Sequence, residues 1–155
     1  MARTLEGVLD ARGIRVALVV SRFNDAITNR LLIGAEDCLE RHGGTAEHRT
    51  IVRVPGSWEI PQAARKLATA GQHDAIIALG ALIRGETPHF DLLAAEVAKG
   101  LAQVAADSGV PVTFGVLTTD TVDQAMDRSG AKFGNKGWDA ALSAIEMVNL
   151  FRRMA

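Results

Sequence analysis

Residues 14–41, IRVALVVSRFNDAITNRLLIGAEDCLER, contain the two patterns from which the fold can be predicted. The segment 14–20 is a β-branched apolar run, typical of a buried strand. Over residues 24–41 the apolar side chains instead recur every four positions, which places them on one face of a helix. Gly43 and Gly44 follow and are expected to end that helix. A buried strand that leads into an amphipathic helix is the first half of a βαβ unit.

The same alternation continues to the C-terminus. Further strands are predicted at 49–54, 75–82 and 112–117, and further helices at 60–70, 88–108, 121–128 and 138–151. This order favours an α/β fold with a parallel sheet that helices cover on both faces. The segment 4–9 is also strand-like but has no sequential partner. We therefore expect it to be an edge strand, added to the sheet of a neighbouring subunit.

Composition and charge limit the class of protein. The 155 residues, 48% of them hydrophobic, suit one domain spanning 1–155. Lys and Arg number 17 against 18 Asp and Glu, and this net charge of −1 argues against a general nucleic-acid surface. The longest charge-free apolar run is 75–83, whereas a membrane span takes about 20 residues. We expect neither nucleic acid nor a membrane as a partner.

The cysteine and histidine content gives further expectations. Cys38 is the sole cysteine and lies among helix formers, so we interpret it as a small packed hydrophobe rather than a reactive thiol. The N-terminus, MARTLEGVLD, lacks the pattern of a signal peptide. Both observations fit a reducing cytoplasm. The histidines at 42, 48, 73 and 89 are scattered and offer no metal-ligand spacing.

Chemically useful side chains follow successive strands. In an open parallel sheet, ligands bind beyond the carboxyl ends of the strands. The segments that follow the four strands are SRFN (21–24), PGSWE (55–59), IRGETPH (83–89) and TTD (118–120). Two aromatic rings, a carboxylate and an imidazole therefore gather at one edge of the sheet. They belong to Phe23, Trp58, Glu59 and His89.

Each of these four residues also has a plain structural interpretation. Phe23 and Trp58 could be core residues at the mouths of loops. Glu59 could complement the N-terminus of a helix. His89 could be an ordinary surface histidine. Their convergence after successive strands favours a binding or catalytic site.

A helix N-terminus predicts an anion site close to His89. Thr87 and Pro88 are expected to be the N-cap and the first residue of the helix. The exposed N–H groups around Glu86 and Thr87 would then favour an anion.

The run 130–137, GAKFGNKG, is similar to a phosphate-binding loop but lacks both its spacing and a preceding strand.

Five stretches of the chain resemble the lumazine synthase family. SRFN at 21–24 matches the first loop of that family, and PGSWEIP at 55–61 resembles its ribityl-binding loop. GALIRGETPHFD at 80–91 resembles its catalytic and phosphate-binding segment. GVLTTDTVDQAMDRSG at 115–130 and GNKGWDAALSAIEM at 134–147 resemble its C-terminal signature. The likeness spans nearly the whole chain, although Trp58 stands where many members carry a different bulky residue.

The resemblance implies a fold and a reaction. The fold is a flavodoxin-like three-layer sandwich with a four-stranded parallel sheet. The reaction is a transferase step, the penultimate one of riboflavin synthesis. It condenses 5-amino-6-(D-ribitylamino)uracil with 3,4-dihydroxy-2-butanone 4-phosphate to 6,7-dimethyl-8-ribityllumazine, phosphate and water. Neither a cofactor nor a metal is expected. A non-catalytic flavin- or pteridine-binding homologue is the alternative, against which the presence of both His89 and Arg128 argues.

The resemblance also assigns roles to residues. His89 moves protons, and Phe23 stacks on the pyrimidine. Arg128 grips the phosphate, as its planar, charged fork allows. From their position alone, Lys136 and Asp139 could orient Arg128, although a surface ion pair is the favoured interpretation. The remaining substrate contacts are Ser57, Trp58 and Glu59 at the ribityl chain, Ala81, Leu82 and Ile83 at the pyrimidine, Glu86 and Thr87 at the phosphate, and Phe114 from the adjacent subunit.

The resemblance further implies a homo-oligomer. We expect pentamers whose active sites lie between neighbouring subunits, and twelve pentamers closed into a shell of sixty subunits. The shell rests on the connector 129–137, which is short and glycine-rich. Family members that stop at pentamers often carry an insertion there. Riboflavin synthase is a candidate partner inside such a shell.

Overall fold

Four parallel strands form the centre of the molecule. The computed structural model describes residues 1–132 and 134–155. Within them the strands stand in the order β2-β1-β3-β4. This is the flavodoxin-like order without its fifth strand, as predicted. The bounds are β1 Val16–Ser21, β2 Arg49–Val54, β3 Ala75–Ile83 and β4 Val112–Thr119.

Helices cover both faces of the sheet. α1 and α5 pack together on one face, and α2 and α3 on the other, while the short α4 follows β4. The predicted three-layer sandwich is therefore confirmed. The helices are α1 Asp25–Arg41, α2 Ile60–Ala70, α3 His89–Ser108, α4 Val122–Asp127 and α5 Lys136–Met154, and 3₁₀ turns occupy Ala46–His48 and Ser57–Glu59.

The sheet separates two hydrophobic cores. Successive side chains of a strand point to opposite faces. In β1, Leu18 accordingly lies in the core beneath α1 and α5, and Val19 lies in the core beneath α2 and α3. Cys38 is fully buried in the first of these cores, and burial raises the pKa of its thiol to about 11. The interpretation of Cys38 as a packed hydrophobe is confirmed.

Several element boundaries differ from the prediction, among them the starts of α3 and α5 and the end of β4. α3 begins at His89, with Pro88 as its N-cap rather than its first residue. The Thr87 hydroxyl still accepts a hydrogen bond from the His89 N–H at 3.4 Å. α5 begins at position 136 rather than 138, because the Asn135 side chain caps it. β4 extends to Thr119, two residues beyond the predicted end.

The N-terminal segment 1–10 forms no strand and lies along α5 of its own chain. The Asn149 amide donates to the carbonyls of Val8 (2.7 Å) and Asp10 (2.9 Å). Arg153 donates to the Glu6 carbonyl at 2.9 Å. The segment is therefore docked by its backbone. None of the helices in 1–132 and 134–155 has the length and apolarity needed to cross a bilayer.

Candidate functional site

A cleft of about 590 Å³ opens at the carboxyl end of the sheet. It lies where the strand order reverses, between β1 and β3, which is where α/β sheets bind ligands. β3 pairs with β1 only as far as Leu79, whereas it pairs with β4 as far as Ile83. Residues 80–83 therefore extend beyond β1. Their uncovered side forms the floor of the cleft.

The turn after β1 forms the first wall. Asn24 has a φ of 63°, in the left-handed region that asparagine tolerates better than most residues. Its side-chain amide donates to the Ala81 carbonyl at 3.0 Å, which ties the end of β1 to the floor. Phe23 precedes it and lines the cleft with 70% of its surface exposed. An aromatic ring this exposed is not a core residue, so it is available to a ligand.

The 3₁₀ turn before α2 forms the second wall. Trp58 is 58% exposed, whereas Ser57 is only 6% exposed. A Cβ at Gly80 would lie 2.7 Å from the Ser57 hydroxyl oxygen, so the glycine leaves room for that side chain in the floor. Glu59 also lines the cleft. This wall therefore combines an indole, a hydroxyl and a carboxylate, which suits a ligand with an apolar ring and several hydroxyl groups.

The start of α3 forms the third wall, and Arg84 joins it to the sheet. Its guanidinium donates to Asp120 at 2.9 Å, beyond the end of β4, and to Asp91 at 3.1 and 3.3 Å, in the first turn of α3. It also lies 4.5 Å from the centre of the Phe90 ring. The hydrogen bonds to Asp120 and Asp91 raise the pKa of Arg84 above its usual value. Arg84 thereby fixes the helix N-terminus that carries His89.

The ionisable groups of the cleft define its chemistry. Among the described residues that line it, these groups belong to Glu59 and His89. They can bind and move protons, and no cysteine or lysine lines this part of the structure as a nucleophile. Nowhere in 1–132 and 134–155 do three His, Cys, Asp or Glu side chains group as a metal site.

Nine of the sequence-predicted site residues line the cleft, and three do not. Glu86 is exposed between Gly85 and Thr87, both of which line it. The other two, Phe114 and Arg128, lie elsewhere. The nine lining residues are Phe23, Ser57, Trp58, Glu59, Ala81, Leu82, Ile83, Thr87 and His89.

Phe114 and Arg128 belong to a common face outside the cleft. Phe114 borders a shallow depression together with Lys136 and Asp139. The Lys136 N–H donates to the Arg128 carbonyl at 2.8 Å, which brings exposed Arg128 next to the same depression. The expected ion pair between Lys136 and Asp139 is not formed in the part of the chain that the structure describes.

Seven further residues line the cleft that were not among the predicted site residues: Asn24, Pro55, Gly56, Gly85, Phe90, Leu93 and Val122. The two glycines and Pro55 lie within the segments that follow the predicted strands. Asn24 directly follows Phe23, and Phe90 directly follows His89. Each could have been selected because it neighbours a predicted site residue. No pattern in the sequence distinguishes Leu93 and Val122, which reach the cleft from the second turn of α3 and the first turn of α4.

Comparison with known proteins gives a consistent result. A family model described as 6,7-dimethyl-8-ribityllumazine synthase matches residues 13–152. The protein of that name from Chlorobium luteolum is 57% identical over 152 residues, which is 98% of each chain. The one from Aquifex aeolicus is 59% identical over 149 residues, 96% of this chain and 97% of that protein.

Proposed function

The chain belongs to the 6,7-dimethyl-8-ribityllumazine synthase family, and from that premise we propose its reaction. It condenses 5-amino-6-(D-ribitylamino)uracil with 3,4-dihydroxy-2-butanone 4-phosphate to 6,7-dimethyl-8-ribityllumazine, phosphate and water, the penultimate step of riboflavin synthesis. The observation that carries the proposal is the cleft at the end of β3. It joins an exposed aromatic ring, an uncovered strand edge and an imidazole.

The pyrimidine substrate fits the half of the cleft built by one chain. We assign the stacking face to Phe23, since an aromatic ring is worth about 0.5–1.5 kcal/mol beyond burial of its area. β1 does not pair with the edge of β3 at Ala81–Ile83, where Asn24 holds the Ala81 carbonyl. The remaining backbone groups of this edge are offered to the edge of the pyrimidine. The ribityl hydroxyls then extend toward the wall of Ser57, Trp58 and Glu59.

The phosphate substrate needs a cation, and none of the described side chains that line the cleft is an arginine or a lysine. The N–H groups at Glu86 and Thr87, before the start of α3, supply part of the site. We assign the missing charge to Arg128, and a second aromatic contact to Phe114, both from a neighbouring subunit. Their position on one common face supports this assignment, because a single docked neighbour could supply both.

The chemistry requires positioning and proton transfer. The substrate amine attacks the carbonyl carbon of the phosphate ketone, and loss of water gives an imine. Phosphate is then eliminated, and the ribitylamino nitrogen attacks the remaining carbonyl carbon and expels a second water to close the ring. Each step moves protons between nitrogen, carbon and oxygen. His89 lies where it can accept and return them, and holding both substrates together supplies the rest.

The assembly proposal extends this arrangement. We propose a ring of five subunits in which 4–9 pairs with a neighbour's sheet edge, since β2 and β4 are edges in the single chain. Twelve rings then close into a shell. The shell depends on the connector 129–137, of which Phe133 lies outside the described residues. Riboflavin synthase as an enclosed partner and a cytoplasmic location are part of the same proposal.

The test is product formation from the two purified substrates. We expect the absorbance and fluorescence of the lumazine product to appear with stoichiometric release of phosphate. A chelator should leave the rate unchanged. Tight binding of the product without any turnover would overturn the proposal in favour of a binding protein. Loss of activity to a chelator, restored by a metal, would overturn the cofactor-free reaction.

A further inference from the structure

We infer that Asn135 is a positioning residue that holds Arg128 in place for the phosphate substrate. The inference rests on the proposed function, in which Arg128 of one subunit meets the phosphate in its neighbour's cleft. Asn135 touches neither substrate. It acts through the main chain of the segment between α4 and α5, in which Arg128 is the first residue after α4.

The Asn135 amide makes four hydrogen bonds to three different parts of the chain. Its Oδ1 accepts from the N–H groups of Gly137 (2.8 Å) and Trp138 (3.1 Å), which caps α5. Its Nδ2 donates to the carbonyls of Arg30 (3.0 Å) in α1 and Ser129 (3.1 Å). The side chain thus uses both ends of its amide. It joins α1, the residue after Arg128, and the start of α5.

Further hydrogen bonds hold the main chain beside Arg128. Ser129 and Asn135 form an antiparallel bridge, and the Lys136 N–H donates to the Arg128 carbonyl at 2.8 Å. Arg30 adds a hydrogen bond from its Nε to the Ser129 carbonyl at 3.2 Å. The Arg128 side chain is exposed, and its Nη1 donates to the Gln124 carbonyl of α4 at 3.4 Å. Its aim therefore depends on how the main chain that follows α4 is fixed relative to that helix.

The packing of α1 leaves space for the Asn135 amide. A Cβ at Gly34 would overlap that amide, although Gly34 lies inside α1. Glycine is less favourable than alanine within a helix. α1 therefore loses helical propensity at the position where Asn135 fits.

The two ends of the amide allow capping to be separated from positioning. An N-cap needs only an acceptor, and aspartate is as good a cap as asparagine. The hydrogen bonds to Arg30 and Ser129 need a donor, which an aspartate carboxylate lacks. Asn135→Asp therefore keeps the cap of α5 and removes the contacts that fix the segment after Arg128. Gly34→Ala disturbs the same amide from α1 without changing Asn135.

The experiment measures the KM of each substrate and the inhibition constant of inorganic phosphate in Asn135→Asp, Gly34→Ala and Arg128→Ala. We expect Asn135→Asp and Gly34→Ala to raise both the KM of the phosphate substrate and the inhibition constant of inorganic phosphate roughly five- to tenfold. This rise is smaller than the one expected from complete loss of the charged hydrogen bond between Arg128 and the phosphate. The KM of the pyrimidine should stay within about twofold. In an Arg128→Ala background, Asn135→Asp should have no further effect on either constant, because the two residues act as one unit.

A matched control comes from the opposite end of the sheet. The Ser108 hydroxyl donates to the Val104 carbonyl (2.6 Å) and accepts from the Val110 N–H (3.1 Å) at the end of α3. Ser108→Ala removes both bonds, and we expect it to change neither KM.

Two results overturn the inference. One is an equal rise of both KM values in Asn135→Asp, and the other is an undiminished effect in the Arg128→Ala background. Either result would mean that Asn135 caps α5 and does not position Arg128. If Asn135→Asp does not fold, Gly34→Ala decides by the same two criteria. If Arg128→Ala itself leaves the phosphate constants unchanged, the phosphate assignment in the proposed function fails instead.

Discussion

His89 lies in the first turn of α3, at the wall of the cleft, and is its proposed proton carrier. His89→Ala should lower kcat by roughly 10²-fold or less, because general acid–base help is lost while the substrates remain reactive. The KM values should change little. Steady-state kinetics with both substrates varied measures kcat and the two KM values. His48→Ala, in the 3₁₀ turn before β2, is the matched control and should be neutral. An unchanged kcat in His89→Ala would remove the histidine from the mechanism.

Phe23 presents its ring at the mouth of the cleft. Phe23→Ala should raise the KM of the pyrimidine about two- to tenfold and leave that of the phosphate substrate near its original value, because a stacking face is lost. Phe151→Ala, at the exposed end of α5, removes the same ring elsewhere and should change neither constant. Equal rises for both substrates would instead assign Phe23 a general structural role.

At the scale of residues, the sequence predicted those members of the cleft that have functional side chains and lie in the segments after strands. Phe23, Trp58 and His89 lie in the segments that follow β1, β2 and β3, and the parallel sheet brings the ends of these strands together. It could not predict Leu93 and Val122, because an apolar residue near the start of a helix looks the same in sequence whether it faces a core or a cleft.

At the scale of elements, the contact between α1 and α5 depends on Gly137. A Cβ at this position would overlap the Leu31 carbonyl of α1. Gly137→Ala should therefore destabilise the protein by about 1–3 kcal/mol, as overpacking does, and lower its Tm by several degrees. Gly85→Ala is the control for stability, since a Cβ there meets nothing within 4 Å. A Tm unchanged in Gly137→Ala would mean that the two helices separate at little cost.

Element types were predictable from periodicity, but the ends of elements depended on tertiary contacts. α5 begins before its apolar pattern does, because Asn135 supplies a cap that the pattern does not contain. β4 runs on to Thr119 because β3 is long enough to pair with it there. The N-terminal segment also depends on tertiary contacts, because the strand-like pattern of 4–9 forms no strand in the single chain and the segment lies along α5 instead.

At the scale of the whole molecule, the prediction is assembly into rings and a closed shell. Five chains of 16.5 kDa have a mass of about 83 kDa, and sixty have about 990 kDa. Light scattering on a sizing column separates these species. We expect the larger one. A single species at the smaller mass across several buffers would leave the ring and exclude the shell, and a monomer with full activity would exclude both.

The position of Phe114 and Arg128 has a genetic consequence. If each cleft takes its imidazole from one chain and its arginine from the next, two defective alleles should complement one another. In rings built at random from equal amounts of His89→Ala and Arg128→Ala chains, about one quarter of the clefts would join an intact His89 to an intact Arg128. Coexpression should therefore yield more activity than either variant alone. Mixing the two proteins after each has assembled should yield no gain over the residual activities of the two variants, because chains in closed rings do not exchange.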